Sequence, residues 1–461
     1  MRAALLRWLG ITVPGFFGLG TAALAQTLPG NGTAPVLAAA APAASSALTA
    51  PALVAQSSIS AGDTAWMITA TALVLLMTLP GIALFYAGMV RQKNVLNTMA
   101  SVVAIAALVS VLWFAAGYSW AFTPGSPWFG GGQRLGFAGL DLQQAAGLVA
   151  VSHIAPHIPE SVYAMFQLTF ALITAALIVG ALVERMRFSA LLWFVGLWSL
   201  CVYVPVAHWV WEPGGWLARL GALDFAGGTV VHVNAGVAGL VCAWILGPRQ
   251  GYGREPFEPY NLGFTMVGAG LLWVGWFGFN AGSAVAADGR AGLAMAVTHL
   301  AAAAGALAWM LAEWIARGRP SLLGLCSGLV AGLVAVTPAA GFVTLRSALL
   351  IGLIAGVACY WGATGLKRLL GADDSLDVFG VHGVGGVVGS LLTGVFADPV
   401  VSGARGDVLT QALGVAAVLV YGLVGTALCL WITRLVVGLR VDAQSELTGL
   451  DIAQQRERLG H

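Results

Sequence analysis

Long apolar runs dominate this chain, and short polar breaks separate them. From residue 63 onward eleven such runs follow one another, at about 64–90, 95–122, 160–183, 189–211, 226–247, 262–284, 291–316, 321–341, 347–370, 380–397 and 408–437. A helix needs about 20 residues to cross the hydrocarbon of a bilayer. Nearly every run has that length. The run over 380–397 is the weakest, being short and rich in glycine. The pattern predicts an all-α polytopic membrane protein with eleven transmembrane helices.

Composition strengthens this reading. Of the 461 residues, 59% are hydrophobic and only 9% charged, against about 25% charged in an ordinary soluble domain. So little charge cannot coat a large apolar core with a wettable surface. The 62 glycines suit many closely packed spans. Net charge is only +2, so no strong field draws nucleic acid. Cys201, Cys242, Cys326, Cys359 and Cys429 lie in apolar stretches without CxxC spacing, which argues against a zinc site or a disulfide framework. No P-loop, GxSxG or metalloprotease motif is present. Neither an enzyme nor a bound cofactor or metal is expected.

Residues 1–25 read as a signal peptide. Arg2 and Arg7 precede an apolar run, and Ala23-Leu24-Ala25 supplies the small-residue cleavage site. Residues 26–62 read as a disordered Ala/Pro-rich leader, so ordered structure is expected from Asp63. The membrane domain then spans 63–437, and 438–461 form a polar tail. With the mature N-terminus outside, fourteen Lys and Arg fall in inner loops. Only Arg134, Arg219, Arg290, Arg346 and Arg405, five residues, fall outside. The positive-inside rule therefore predicts an N-out, C-in arrangement. The tail suits a regulatory or docking role and a plain solvated segment equally well.

Polar groups at span depth carry the functional information. His232 lies in DFAGGTVVHVNAG and His382 in DVFGVHGVGG, near the fifth and tenth spans. Asp224 and Phe225 precede the first, Asp377 and Phe379 the second. This echo fits two inverted five-helix repeats with a shared site between them, leaving the eleventh helix outside the repeat. A pair of imidazoles shielded from water stays neutral and offers hydrogen bonds along a narrow path, which suits a small hydrogen-bonding solute or a proton. The plainer alternative is two packing residues satisfied by backbone carbonyls.

Aromatic residues form a second constellation. Phe166 and Phe170 sit one turn apart, as do Phe279 and Ser283, and Trp211 closes the fourth span. These residues fit ordinary core packing and an interfacial anchor. They fit equally a cation–π cup with Ser283 as hydrogen-bond acceptor. Asp224 and Asp377 read as helix caps.

The strings GIALFYAGMVRQKN (81–94), ALIVGALVERMRFSA (176–190), DFAGGTVVHVNAG (224–236), WVGWFGFNAGS (273–283), SLLGLCSGLVAGLVAVTP (321–338) and DVFGVHGVGG (377–386) resemble the ammonium transporter family, Amt/Mep/Rh, and its bacterial Amt branch most. The resemblance runs from about 63 to 451. It implies an outer ammonium-recruitment site at Phe166, Phe170, Trp211 and Ser283. It implies a phenylalanine gate at Phe170 and Phe279, and a twin-histidine pore at His232 and His382. Asp224, Trp276, Thr337 and Asp377 match supporting positions. The resemblance further implies a homotrimer in the bacterial inner membrane, with a cytoplasmic face that PII-type nitrogen regulators can plug. Ammonium would be recruited, deprotonated and conducted as ammonia, with net electrogenic transport.

Two departures stand out. Glu212 occupies a position where a small or neutral residue is expected, and either attracts cations at the mouth or faces water. The tail ends IAQQRERLGH and lacks the His-Gly-Glu ending of many relatives, which weakens the expectation of PII-type regulation. The rival functions are an ammonium sensor that transports little and a channel for another small neutral solute such as carbon dioxide. A large signalling domain would favour the first, and only 438–461 follow the last span.

Overall fold

The computed structural model describes residues 48–460. The signal peptide expected over 1–25 and the leader over 26–47 lie outside the described residues. Ten helices in the described part are long and apolar enough to cross a membrane. They are α1 (Ala61–Met89), α2 (Gln92–Phe122), α3 (Glu160–Leu182), α4 (Phe188–Arg219), α5 (Gly228–Leu246), α6 (Leu262–Ala281), α7 (Gly289–Arg317), α9 (Leu345–Leu369), α10 (Phe379–Phe396) and α11 (Val408–Val437). Between α7 and α9 lies α8, the shorter apolar helix Leu322–Val336. The chain is a multi-pass membrane protein.

Most boundaries lie within a few residues of those the hydropathy pattern predicts. The weak element is a different one, however. The run over 380–397 holds its full helix, whereas the expected span 321–341 stops being helical after Val336. Pro338 follows the helix end at once and has no backbone N–H with which to continue it. The chain instead turns through Thr337, Ala339, Ala340 and Val343, all fully buried. Irregular backbone is tolerated inside a membrane protein where other protein covers it.

The last part of the leader also differs from expectation. Ala52–Ala55 form strand β1, which pairs antiparallel with β2 (Leu148–Val151) in the register Ala52↔Val151. Leu53 and Val54 favour extended backbone, and β2 supplies partners for the strand's amides. Ser60 then caps α1 by accepting from the Asp63 amide at 3.2 Å. Ordered structure begins ahead of Asp63, so the disordered leader does not extend to residue 62.

Helices α3 and α5 are the most enclosed, and α2, α9 and α11 keep much of their surface outside the bundle. At the centre α5 crosses α10 where Gly236 meets the backbone of Gly383, an approach that any side chain at 236 would block. Seven of the ten long helices contain a π-helical turn. Such turns are rare and often mark functional positions.

The tail lies against the bundle instead of standing free in solvent. Asp451 accepts from the Asn97 amide at 2.7 Å, the Leu450 amide donates to Asn94 at 2.9 Å, and Lys93 donates to the Leu447 carbonyl at 2.6 Å. Arg440 pairs with Glu446 at 2.8 Å. One end of the bundle therefore carries the tail, and the opposite end carries the two strands.

Candidate functional site

The site is built on the first turns of α5 and α10. Asp224 precedes α5, and its carboxylate accepts from the amides of Gly227, Gly228, Thr229 and Val230 at 2.6–3.2 Å and from the Thr229 hydroxyl at 2.5 Å. Gly227 adopts φ 112°, a backbone that side chains rarely permit. The capping role expected for Asp224 holds, and it orients a π-turn, Gly228–Val233, that carries His232.

The equivalent cap on α10 is Asp374. It accepts from the amides of Val378 at 3.0 Å and Phe379 at 2.7 Å, ahead of the π-turn Phe379–Gly383 that carries His382. The sequence echo paired Asp224 with Asp377, and this pairing is corrected. Asp377 sits at φ 57° and accepts from Lys367 Nζ at 2.7 Å. The spacing was readable, since Asp224 stands eight residues before His232 and Asp374 eight before His382. Burial, only partly offset by Lys367, pushes the Asp374 carboxyl up to about 6.

The two histidines meet between these helices. Their Nδ1 atoms lie 3.3 Å apart and their rings 5.3 Å apart, inclined at 23°. Both are buried. One Nδ1 must donate and the other accept, so at least one ring of the pair is neutral. Trp276 stacks on His232 at 5.4 Å and donates its indole N–H to Thr337 at 2.9 Å. Thr337 passes a hydrogen bond on to the Leu333 carbonyl at 2.8 Å, so α8 fixes the indole. Among the described residues His232 Nε2 has no hydrogen-bond partner.

On the strand-bearing side of His232 the rings of Phe170 and Phe279 stack at 4.1 Å and 15°, both buried. Phe279 lies 6.2 Å from His232. Trp211 meets Phe170 edge-on at 5.6 Å and hangs its indole N–H on the Asp224 carbonyl at 2.9 Å. Phe166 lies behind Phe170 at 5.0 Å, fully buried. Gly282 leaves room for the Phe166 ring, and Ser283 beside it donates to the Phe279 carbonyl at 2.9 Å. That bond uses the hydroxyl's one proton and leaves its lone pairs to accept. The fold therefore gathers Phe166, Phe170, Trp211, Phe279 and Ser283 around one point.

Two neighbours, Phe122 and His153, have no role in the sequence reading. Phe122 stacks on Trp211 at 6.4 Å and 14°. Glu212 does not face water: it is buried, with one oxygen 3.1 Å from His153 Nε2 and the other accepting from the Gly214 amide. His153 is separated from it by almost sixty residues, and no local spacing announces the pair.

Past His382 a cavity of about 150 Å³ opens toward the tail-bearing end, lined by Phe85, Tyr86, Ser327, Asp377 and His382 among others. A charged cluster secures this end. Glu184 takes Arg91 at 2.6 Å and Arg249 at 3.3 Å, and Asp373 takes Arg249 at 2.8 Å. Burial alone would raise both carboxyls, but Arg249 with Arg91 holds Glu184, and Arg249 with Arg185 holds Asp373, below the usual carboxylate range.

Known proteins resemble this chain over nearly all its described length. The Ammonium Transporter Family profile matches residues 65–458. An ammonium transporter of Aquifex aeolicus is 49% identical over 400 residues, covering 85% of this chain and 92% of that protein. The crystal structure of Saccharomyces cerevisiae Mep2 superimposes with a TM-score of 0.76 at 36% identity, covering 84% of this chain and 91% of that one. A solved sensor Amt protein gives a TM-score of 0.78 at 28% identity, with 85% and 98% covered. With the fold, the paired histidines and these likenesses in agreement, the chain belongs to the ammonium transporter family.

Proposed function

We propose that this protein recruits ammonium at its strand-bearing end, removes a proton there, and conducts ammonia past His232 and His382 to the tail-bearing end, where the proton, which crosses separately, rejoins it, so that each ammonium moved carries one net positive charge. The observation that carries the reading is the order of groups along one line: an aromatic cup, a stacked phenylalanine pair, two histidines in Nδ1–Nδ1 contact, and then a cavity. Among the described residues neither ring forms a hydrogen bond or ion pair with a charged side chain, and each nitrogen contact they make is to the other imidazole. Transferring an ammonium-sized ion into such surroundings costs about 20 kcal/mol in the idealised limit and several kcal/mol after relaxation. A cation–π cup returns about 2 kcal/mol. Attraction alone therefore cannot carry the ion through. Loss of one proton removes most of the cost, and ammonia then exchanges hydrogen bonds with the unpartnered His232 Nε2.

Phe166, Phe170, Trp211 and Ser283 form the recruitment site in this scheme, and Phe170 and Phe279 exclude water. Asp224, Trp276 and Thr337 hold the pore groups in place, while Asp377 lines the exit. The strand-bearing end faces outward and the tail inward, in a bacterial inner membrane, with α8 counted as the short member of eleven spans. The reciprocal packing of the α5 and α10 π-turns on one another's helices supports two inverted five-helix halves. A homotrimer with one pore per subunit, and a PII-type regulator meeting the inner face, complete the proposal.

The likeness to a sensor Amt protein favours one alternative, a receptor that transports little. Liposomes holding the purified protein distinguish the cases. Ammonium and methylammonium flux without added carbon dioxide permeability supports the transporter. Binding without flux supports the sensor, and gas permeability without ammonium current supports a neutral-solute channel.

A further inference from the structure

The helical segment Val204–Trp211 of α4 ties down the loops around the cup, and one of its ties has an unusual chemistry. His208 is fully buried. Its Nδ1 lies 2.9 Å from the Ala121 carbonyl and its Nε2 2.8 Å from the Ser126 carbonyl. A carbonyl oxygen only accepts, so each ring nitrogen must donate. A neutral ring has one N–H and would set its remaining lone pair against an oxygen. Only the doubly protonated imidazolium satisfies both contacts.

We propose that His208 is a buried imidazolium that positions Trp211 in the recruitment cup, with Glu212 as its counter-charge. Glu212 follows His208 by one helical turn, where opposite charges attract. Its carboxylate also takes His153 Nε2 and the Gly214 amide, which keeps it ionised and fixed. The other titratable groups around this turn are Tyr163 of α3, whose hydroxyl accepts from Gln167, and Glu160, which is neutralised by Arg134 at 2.8 Å. Tyr118 of α2 donates to Glu160, and Asp224 is committed to the start of α5. Glu212 is therefore the carboxylate on this turn left to balance His208.

The positional consequence follows from what the two carbonyls belong to. Ala121 and Ser126 flank Phe122, the ring stacked on Trp211. Trp209 adds a third tie from the same turn, donating to the Trp128 carbonyl at 2.9 Å. His208 thus clamps the end of α2 to the end of α4 and holds Phe122 against the face of Trp211. Glutamine at 208 reaches one carbonyl from a flexible chain, and the platform behind Trp211 loosens.

This inference rests on the cup being the recruitment site, and two measurements separate the claims. In the full-length protein labelled with 15N-histidine at pH 7.5, His208, assigned by its absence in H208Q, shows both ring nitrogens protonated. A signal with one bare nitrogen overturns the imidazolium. In proteoliposomes W211A raises the half-saturating ammonium concentration, and H208Q raises it about threefold or more while the current at saturation is largely kept. A variant that merely folds poorly lowers the saturating current and leaves half-saturation alone, which would overturn the positioning role. An unchanged half-saturation in W211A would instead refute the cup and leave the spectroscopic result to stand by itself.

Discussion

Replacing Asp224 with asparagine is the sharpest structural test of how the pore is held. The carboxylate satisfies four backbone amides and one hydroxyl at the start of α5. In D224N the remaining oxygen can keep Gly227 and Gly228, which share Oδ1. The new NH2 group then faces the Thr229 and Val230 amides, two donors left without an acceptor in a buried place. Each such orphan costs about 1–3 kcal/mol, so about 2–6 kcal/mol is expected. Loss of the negative charge at the helix start adds up to about 2 kcal/mol. In detergent the apparent Tm should fall by about 5 °C or more, and ammonium current should fall with it because the same residue's carbonyl holds Trp211. Asp374 offers the internal comparison, since it caps α10 through only two amides. D374N should cost less than D224N. Its carboxyl is pushed up to about 6 in the fold, so the contribution of Asp374 to stability drops as pH rises through that value, and the cost of D374N should shrink over the same range. A D224N protein that melts with the wild type and conducts normally would refute this account of the α5 start.

Other expectations follow from the same geometry. F279A removes one ring of the stacked pair and should raise osmotic water permeability in stopped-flow experiments, where an unchanged rate would deny it a sealing role. T337V leaves the Trp276 indole N–H without its buried acceptor, which should cost about 1–3 kcal/mol of stability and lower the current, both measurable on one preparation. Glu184 and Asp373 are held below the ordinary carboxylate range, so their stabilisation is complete at neutral pH and is lost as pH falls through their lowered values. R249M should lower Tm at pH 7 and flatten its decline toward pH 4, whereas parallel Tm–pH curves would show that the cluster contributes nothing.

Much of the fold is legible in the sequence because a bilayer imposes one length and one chemistry on every span. The boundaries of α3 and α11 follow directly from where apolar residues stop. The exceptions have local causes. Pro338 ends α8 early although the apolar run continues, and hydropathy cannot see a missing amide. Leu53 and Val54 sit in an alanine- and proline-rich context that reads as disordered, and their pairing depends on a strand about a hundred residues away.

At the site, residues with a fixed spacing were the readable ones. Phe166 with Phe170 and Phe279 with Ser283 fall on common helix faces, and the structure adds which rings meet. Asp374 is legible from its distance to His382, but Asp377 lies nearer and copies the Asp–Phe proximity before His232, so local pattern favours the wrong carboxylate. Phe122, His153 and His208 carried no such signal. Their roles come from long-range contacts with Trp211, Glu212 and the end of α2, and only three-dimensional proximity reveals them.

The central claim is that the histidine pair carries uncharged ammonia and bars bare cations. The direct measurement is ammonium- and potassium-induced current in proteoliposomes on a solid-supported membrane, for the wild type and for H232A/H382A. The account predicts that the double variant loses ammonium current, or keeps a current that no longer discriminates against potassium. Unchanged current together with unchanged selectivity would contradict it.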